Sequence, residues 1–476
     1  MTFTSFEFLL FFPAVVLLYN LCPQRLRMWF LLAVSYAFYA FMQPVYMLLL
    51  VAVTGTTYGF TRWMDAVEND DKKRRIMVWG IILVLLPLFF FKYFNFVNES
   101  IFSLFSLCGI QCTVPTIKWM LPVGISFYTF MAIGYMIDVN NEEVDVEKSI
   151  GSVGLFLSFF PYILSGPIER AGNMFPQLKK MPTSKPSDFT AGLKLMLWGY
   201  FMKLCVADRL GIYVDAVFSN FTYHNGTTLA FASLIYPFQV YGDLGGYSLI
   251  AIGTARCMGL KIIPNFNRPF FATSMSELWR RWHMSLINWL TDYIYTPLSF
   301  ALRKWKVWGI VCALMLTFFI SGVWHGAAVT FIVWGLVQGI YLSLEALLQK
   351  RRVSMETEHN LTKRWWYILM CCLIVYFLFA FSQIFGICNN LSDAWTVIGK
   401  IFTNHGTVFT EVTSVYGLIA LVIMFYKDFR DEFFPKRMKL FESKSIVIRF
   451  ASYLIVVAMI LLMGVLDGSQ FIYFKF

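Results

Sequence analysis

Apolar positions come in long runs along most of this chain. They do not alternate as in a strand or form the one-sided stripe of a soluble helix. Such runs lie near residues 5–21, 28–41, 45–60, 76–94, 119–137, 365–385, 412–426 and 450–466. A helix crossing a bilayer needs about 20 apolar residues, so these runs predict membrane-spanning helices. Short basic loops lie between them: PQRLR (23–27), DDKKRR (70–75), LRKWK (302–306), QKRR (349–352), TKRW (362–365) and a longer one over 427–449. The positive-inside rule places such loops in the cytoplasm. Alternation then puts both termini, and the loops 95–118 and 386–411, outside. The chain shows no internal repeat and no linker rich in Pro, Gly or Ser, so residues 1–476 read as one domain.

Two stretches break the alternation. The run over 151–165, GSVGLFLSFFPYILS, is short for a span, contains Pro161 and is followed by the basic residues Arg170, Lys179, Lys180 and Lys185. Short apolar runs of this kind are re-entrant or interfacial. From Val307 to Leu344 there is no Asp, Glu, Lys or Arg, yet both flanks are basic. Such a stretch must leave and return on the same side, as a helical hairpin or a broken helix. The turn would fall near Gly322–Gly326, in SGVWHGAAV, and it carries His325. Irregular backbone at membrane depth persists only where protein buries it or where it lines a watery cavity.

Composition agrees with this class. The chain is 58% hydrophobic and only 14% charged, with a mean hydropathy of +0.63, whereas soluble domains carry about 25% charged residues. The expected fold is an all-α polytopic membrane protein with roughly 10–12 transmembrane helices and additional re-entrant or interfacial ones. The net charge of +11 sits in loops between spans, which argues against nucleic acid as a partner and for the lipid bilayer. The first run lacks a basic n-region and a small-residue cleavage site, and reads as a span rather than a signal peptide. Of the nine cysteines most lie in apolar runs. Cys108 and Cys112 share a loop and are able to pair only in an oxidising compartment. No Cys or His cluster has metal-ligand spacing, so no metal is expected.

Ionisable groups inside spans are costly and tend to mark a pathway or a reaction site. His325 is the sharpest candidate; the bland alternative is a neutral histidine bonded between helices, helped by the close-packing pairs Gly322/Gly326 and Gly335/Gly339. A second histidine lies in SMSELWRRWHMSLINWL (274–290), which opens on the capping pattern Ser274-x-x-Glu277. At helical spacing Trp279, Trp282, His283, Leu286 and Leu290 share a face, with Arg280 and Arg281 off it. That pattern predicts an interfacial helix with His283 on the apolar side. His224, His359 and His405 lie in polar loops. Asp243 interrupts YGDLGGYSLIAIG (241–253), with Arg256 the nearest basic residue in sequence. It is able to ion-pair, orient a histidine or bind a hydroxyl. Asp138, Asp292 and the pair Glu169–Arg170 sit at segment ends, where a structural role is the default. No phosphate-binding glycine loop and no GxSxG elbow is present.

Taken in order, several stretches resemble the membrane-bound O-acyltransferase family, in its bacterial branch typified by alginate O-acetyltransferase. They are the N-terminal FTSFEFLLFFPAVVLLYNLCPQRLRMWFLLAVSYAFYAF, LPVGISFYTFMAIGYMIDV (121–139), FFPYILSGPIERAGNMFPQL (159–178), YGDLGGYSLIAIGTARCMGL (241–260), NRPFFATSMSELWRRWHMSLINWLTDYIYTPL (267–298) and SGVWHGAAVTFIVWGLVQG (321–339). The resemblance covers residues 1–390 as a family-like core, and 391–476 are generic spans. It implies that His325, in the WHG motif, is catalytic and that His283, in RRWH, is the second active-site residue. Further candidates to bind substrate or line a tunnel are Asp243, Tyr241, Trp282, Arg281, Trp324 and Asp292. The branch commonly has Phe-Ser after the Asp, where this chain has Leu244-Gly245.

The resemblance also implies acetyl-CoA or an acyl-carrier thioester as donor substrate, with no tightly bound cofactor. The acceptor would be an exported or cell-wall polysaccharide, reached directly or through an extracytoplasmic acetyltransferase partner, around a central tunnel in a bacterial cell (inner) membrane. A neutral histidine shielded from water suits acyl transfer, because it takes the hydroxyl proton where water cannot capture the acyl group. D-alanyl transfer to teichoic acid is the alternative within the family. A proton-coupled transporter would call for paired intramembrane acids or inverted repeats, and the sequence shows neither.

Overall fold

A computed structural model describes residues 1–110, 119–435 and 441–466. Within them every regular element is helical. Among the described residues, eight helices are long and apolar enough to cross a membrane: Pro44–Asp65, Asp70–Leu107, Pro186–Ser219, Val307–His325, Val329–Glu358, Trp365–Ile387, Val412–Phe433 and Ile446–Met463. Phe6–Leu21 is apolar but shorter. Local chemistry explains several boundaries. Asn69 caps the helix Asp70–Leu88 through Lys72 N–H, and Asp70 and Asp71 complement the positive end of its dipole. Pro87 lies in its last turn, and a π-helical stretch, Phe89–Tyr93, follows. Cys112 lies outside the described residues, while Cys108 is exposed.

The chain packs as two compact units: residues 1–193 with 251–263, and residues 194–250 with 264–476. In the first unit, Phe3, Phe8, Phe38 and Phe160 form a fully buried aromatic core. The expected span over 119–137 begins later, as the helix Ile125–Asn140, buried along almost all its length. Gly124 sets its start with φ +73°, and a Cβ there would sit 2.1 Å from the Ile163 carbonyl oxygen. The run over 151–165 is not a span. It forms two short buried helices, Ile150–Ser158 and Phe160–Ile163, broken at Phe159. Arg27, from the first basic loop, is buried; it donates to Thr183 Oγ1 at 2.8 Å and to the Cys22 carbonyl at 3.1 Å. Glu169 is buried as well. It accepts the backbone N–H groups of Arg170 (2.7 Å) and Ile263 (3.0 Å), so its main use is to cap backbone.

In the second unit the stretch from Val307 onward is the expected hairpin. Helix Val307–His325 ends at the histidine, residues 326–328 turn, and helix Val329–Glu358 returns. Its glycines pair across the hairpin and not along one helix. A Cβ on Gly335 would meet the Phe318 carbonyl at 2.3 Å and the Gly322 Cα at 3.0 Å. We expect Gly335→Ala to destabilise the protein by about 1–3 kcal/mol through overpacking. Thermal unfolding in detergent measures this, with Gly399→Ala as the control, since nothing lies within 4 Å of a Cβ there.

A second close approach brings the helix Gly226–Cys257 against residues 199–207. A Cβ on Gly246 would lie 2.8 Å from the Gly199 carbonyl oxygen, and one on Gly242 would lie 3.0 Å from that of Met202. The two glycines flanking Asp243 therefore admit a neighbouring backbone, and with it Lys203. Lys203 Nζ lies 2.6 Å from Asp208 Oδ1 and 2.7 Å from Asp243 Oδ1, all three side chains almost fully buried.

Candidate active site

His325 is the last residue of its helix, and its half-buried ring stands edge-on to Trp324 (centroids 4.9 Å) and Trp334 (4.8 Å). It lines a cavity of about 50 Å³ together with Tyr236, Val240, Leu244, Trp282, Trp334, Phe379 and Gln383. A second cavity, of about 490 Å³, shares Tyr236, Phe331 and Gly386 with the first. Its wall includes the turn residues Gly326, Ala327 and Ala328 and the polar side chains of Asp215, Ser219, Gln239, Thr330, Asn389 and Asp393. His325 therefore stands where a small, mostly apolar chamber adjoins a larger one with more polar side chains in its wall. That is the setting a proton acceptor needs to reach a hydroxyl without bulk water.

His283 is reached by a route the periodicity does not reveal. The expected continuous helix over 274–290 is two short helices, Met275–Arg281 and Met284–Leu290, with Trp282 extended and His283 in the left-handed region at φ 45°. The backbone of 265–267 clamps the break. Asn267 N–H donates to the Arg281 carbonyl at 2.9 Å, and Met284 N–H donates to that of Asn265 at 2.8 Å. The Asn265 side chain accepts from Ser285 Oγ at 2.9 Å and donates to Ser248 Oγ at 2.9 Å. Residues other than Gly seldom adopt this backbone, and it persists where the surroundings over-determine it. The break turns Trp282 into the small cavity and buries His283, whose ring lies 6.1 Å from that of Trp324. Both histidine rings thus stand against Trp324. His283 lies outside the eight spans; burial holds its imidazole below the usual histidine range, so it is neutral near pH 7.

The remaining candidates divide. Trp282 lines the small cavity, and Trp324, buried, packs against both histidine rings. Asp243 belongs to the Lys203 cluster; Arg256, its sequence neighbour, lies 3.7 Å from Asp188 instead. Tyr241 is buried and donates to Asp428 Oδ2 at 2.8 Å. Arg281 is held by Glu277 at 2.6 Å and Glu432 at 2.9 Å, and Arg268 joins Glu432 at 2.9 Å. Asp292 is exposed on a π-turn, Thr291–Tyr295. None of Asp243, Tyr241, Arg281 and Asp292 lines either cavity. Sequence reasoning passed over Trp334, Tyr236, Phe379 and Gln383. The clue available for Trp334 was its place nine residues after His325, on the returning arm of the hairpin.

Glu277 supports this architecture from outside the spans. Ser274 Oγ accepts its N–H at 3.1 Å, as the capping pattern requires, but its carboxylate reaches Thr273, accepting N–H and hydroxyl at 2.8 Å each. Burial alone would raise its pKa. The donors on Thr273 and Arg281 outweigh that and hold the carboxyl below the usual range. A depressed carboxylate contributes stability above its unfolded value, about 4.3, and loses it as pH falls through the folded value. We therefore expect Glu277→Gln to lower stability near pH 7 by about 1–3 kcal/mol. Its gap from wild type should close below about pH 4, which melting curves across pH measure.

Comparisons with known proteins place the chain among membrane acyltransferases. A model of the membrane-bound O-acyltransferase (MBOAT) family covers residues 148–388, which include both histidines and the hairpin turn. The probable alginate O-acetylase AlgI of Azotobacter vinelandii is 32% identical over 405 residues, spanning 85% of this chain and 78% of that protein. The peptidoglycan O-acetyltransferase of Helicobacter pylori is 31% identical over 353 residues, 68% of this chain and 64% of that one. The teichoic acid D-alanyltransferase of Bacillus subtilis is 26% identical over 278 residues, 57% of this chain and 68% of that one.

Proposed function

The chain belongs to the membrane-bound O-acyltransferase family, and from that premise we propose that it moves an acetyl group from a cytoplasmic thioester to hydroxyls of an exported or cell-wall polysaccharide. The transfer is direct or runs through an extracytoplasmic acetyltransferase partner. The observation that carries this reading is the place of His325, where a small chamber adjoins a larger cavity whose wall carries several polar side chains. As the acceptor hydroxyl attacks the thioester carbonyl carbon, the His325 imidazole takes its proton. The tetrahedral adduct then collapses, the carbon–sulfur bond breaks, and the leaving thiolate takes the proton back. His325 sits at the C-terminal end of its helix, where the dipole favours the positive charge that the ring gains on the way. His283, neutral and fixed by its clamp, orients the reacting groups by way of Trp324.

Chamber size bears on the acyl group. A single water needs roughly 10–15 Å³ of such volume, so about 50 Å³ suits a group of a few heavy atoms. The named activities of the relatives favour acetyl, since the O-acetylating ones are 31–36% identical and the D-alanylating ones 26–28%. The test is reconstitution of the purified protein in lipid with labelled acetyl-CoA, set against a D-alanyl carrier-protein thioester. Label passing from acetyl-CoA to polysaccharide hydroxyls is the expected result. Transfer from the D-alanyl donor alone would assign the chain to the other chemistry.

A further inference from the structure

One tryptophan in the wall of the small chamber carries a buried polar group without a partner. Trp334 is 5% exposed, its ring stands 4.8 Å from that of His325, and its indole N–H has no hydrogen-bond partner. Buried indole N–H groups usually find one, because leaving a donor unmet in an apolar setting is costly. The adjacent tryptophan shows that this fold is able to supply one. Trp279 packs edge-on to Trp334 at 5.8 Å, and its N–H donates to Gln338 Oε1 at 3.3 Å. Gln338 is in turn fixed by Ser382 Oγ at 2.6 Å. One indole of the pair is fully satisfied and the other, in the chamber wall beside His325, is not.

The hairpin sets Trp334 there. Its neighbour Gly335 lacks a side chain and lies against the Phe318 carbonyl and Gly322, which draws the returning helix up to the helix that ends in His325. A donor held rigidly in a dry site beside the proton acceptor is what carbonyl addition calls for. As the acceptor oxygen attacks, the carbonyl π electrons move onto the thioester oxygen, and a fixed N–H stabilises that charge without reorganising. We propose that Trp334 is a catalytic residue of this site, its indole N–H donating to the thioester oxygen during addition and keeping its proton throughout. This rests on the acyl-transfer reading of His325.

The test replaces N–H and keeps shape. Benzothienylalanine at position 334 puts sulfur in place of the N–H with nearly the same ring, and Trp334→Phe gives a second variant with an aromatic ring and no donor. The expected result is a fall in kcat of about 100-fold, the usual loss for one oxyanion donor. KM for the donor should stay near wild type, as for an interaction made only in the transition state, and the melting temperature should not move with the sulfur analogue. Wild-type kcat in the folded sulfur analogue overturns the proposal. His325→Ala in the same assay separates the two failures. If it still transfers, the acyl-transfer reading falls and this inference with it. If it is inactive while the sulfur analogue is fully active, only the donor role of Trp334 falls.

Discussion

His325→Ala is expected to remove transfer by about 10²–10⁴-fold, the range that a positioned general base contributes, and to leave the protein folded. The ring is half-buried at the end of a helix and borders a cavity. Its loss enlarges an existing space and does not open a hole in packed core. The tryptophans on either side keep their own contacts: Trp334 with Trp279, and Trp324 with His283. Stability should therefore change little while chemistry is lost. Single-turnover transfer from labelled donor, read beside a melting curve, measures both. A variant that transfers at the wild-type rate would remove the base from the account, and one that is inactive only because it is unfolded would recast His325 as a packing residue.

Lys203→Ala is expected to have the opposite profile. The ammonium is 1% exposed and contacts two buried carboxylates, Asp208 and Asp243. Removing it leaves both acids in the interior facing each other without their shared cation. Breaking a buried pair from one side costs about 3–5 kcal/mol, against a total stability of about 5–15 kcal/mol. Little monodisperse protein should be recovered after detergent extraction. Asp243→Asn, which leaves Lys203 paired with Asp208, should cost less. The triple change Lys203→Met, Asp208→Asn and Asp243→Asn should recover folded protein. Wild-type melting in Lys203→Ala would show that the cluster does not hold the Gly226–Cys257 helix against residues 199–207.

These two residues also mark what the sequence discloses. The hairpin and its histidine were legible because both flanks of 307–344 are basic and its interior carries no charge. The cap at Ser274 was legible because its spacing to Glu277 is a local rule. Lys203 was not, because the helix it belongs to does not read as a span. Even the most apolar 18 residues of Pro186–Ser219 average a hydropathy of only 1.2, against 2.0 in Val307–His325 and 2.4 in Trp365–Ile387, and Lys194, Lys203, Asp208 and Arg209 punctuate the helix. Charges that cancel each other in the interior look from sequence like charges in water. The break at His283 was hidden for another reason. Apolar spacing continues unchanged through it, and no Gly or Pro marks a turn whose strain is held by Asn265, eighteen residues upstream. The spacing of Trp334 from His325 is local, but the unpartnered N–H that singles it out arises only in the packed fold.

Sidedness of transfer puts the role of His325 to its hardest test. Proteoliposomes would carry the protein in one orientation, labelled acetyl-CoA only on the face of the basic loops, and soluble polysaccharide acceptor only on the other. Label should appear on the far-side acceptor with wild-type protein and vanish with His325→Ala if donor and acceptor meet at that half-buried imidazole. Transfer seen only when donor and acceptor share a compartment, at equal rates with and without His325, would contradict the account.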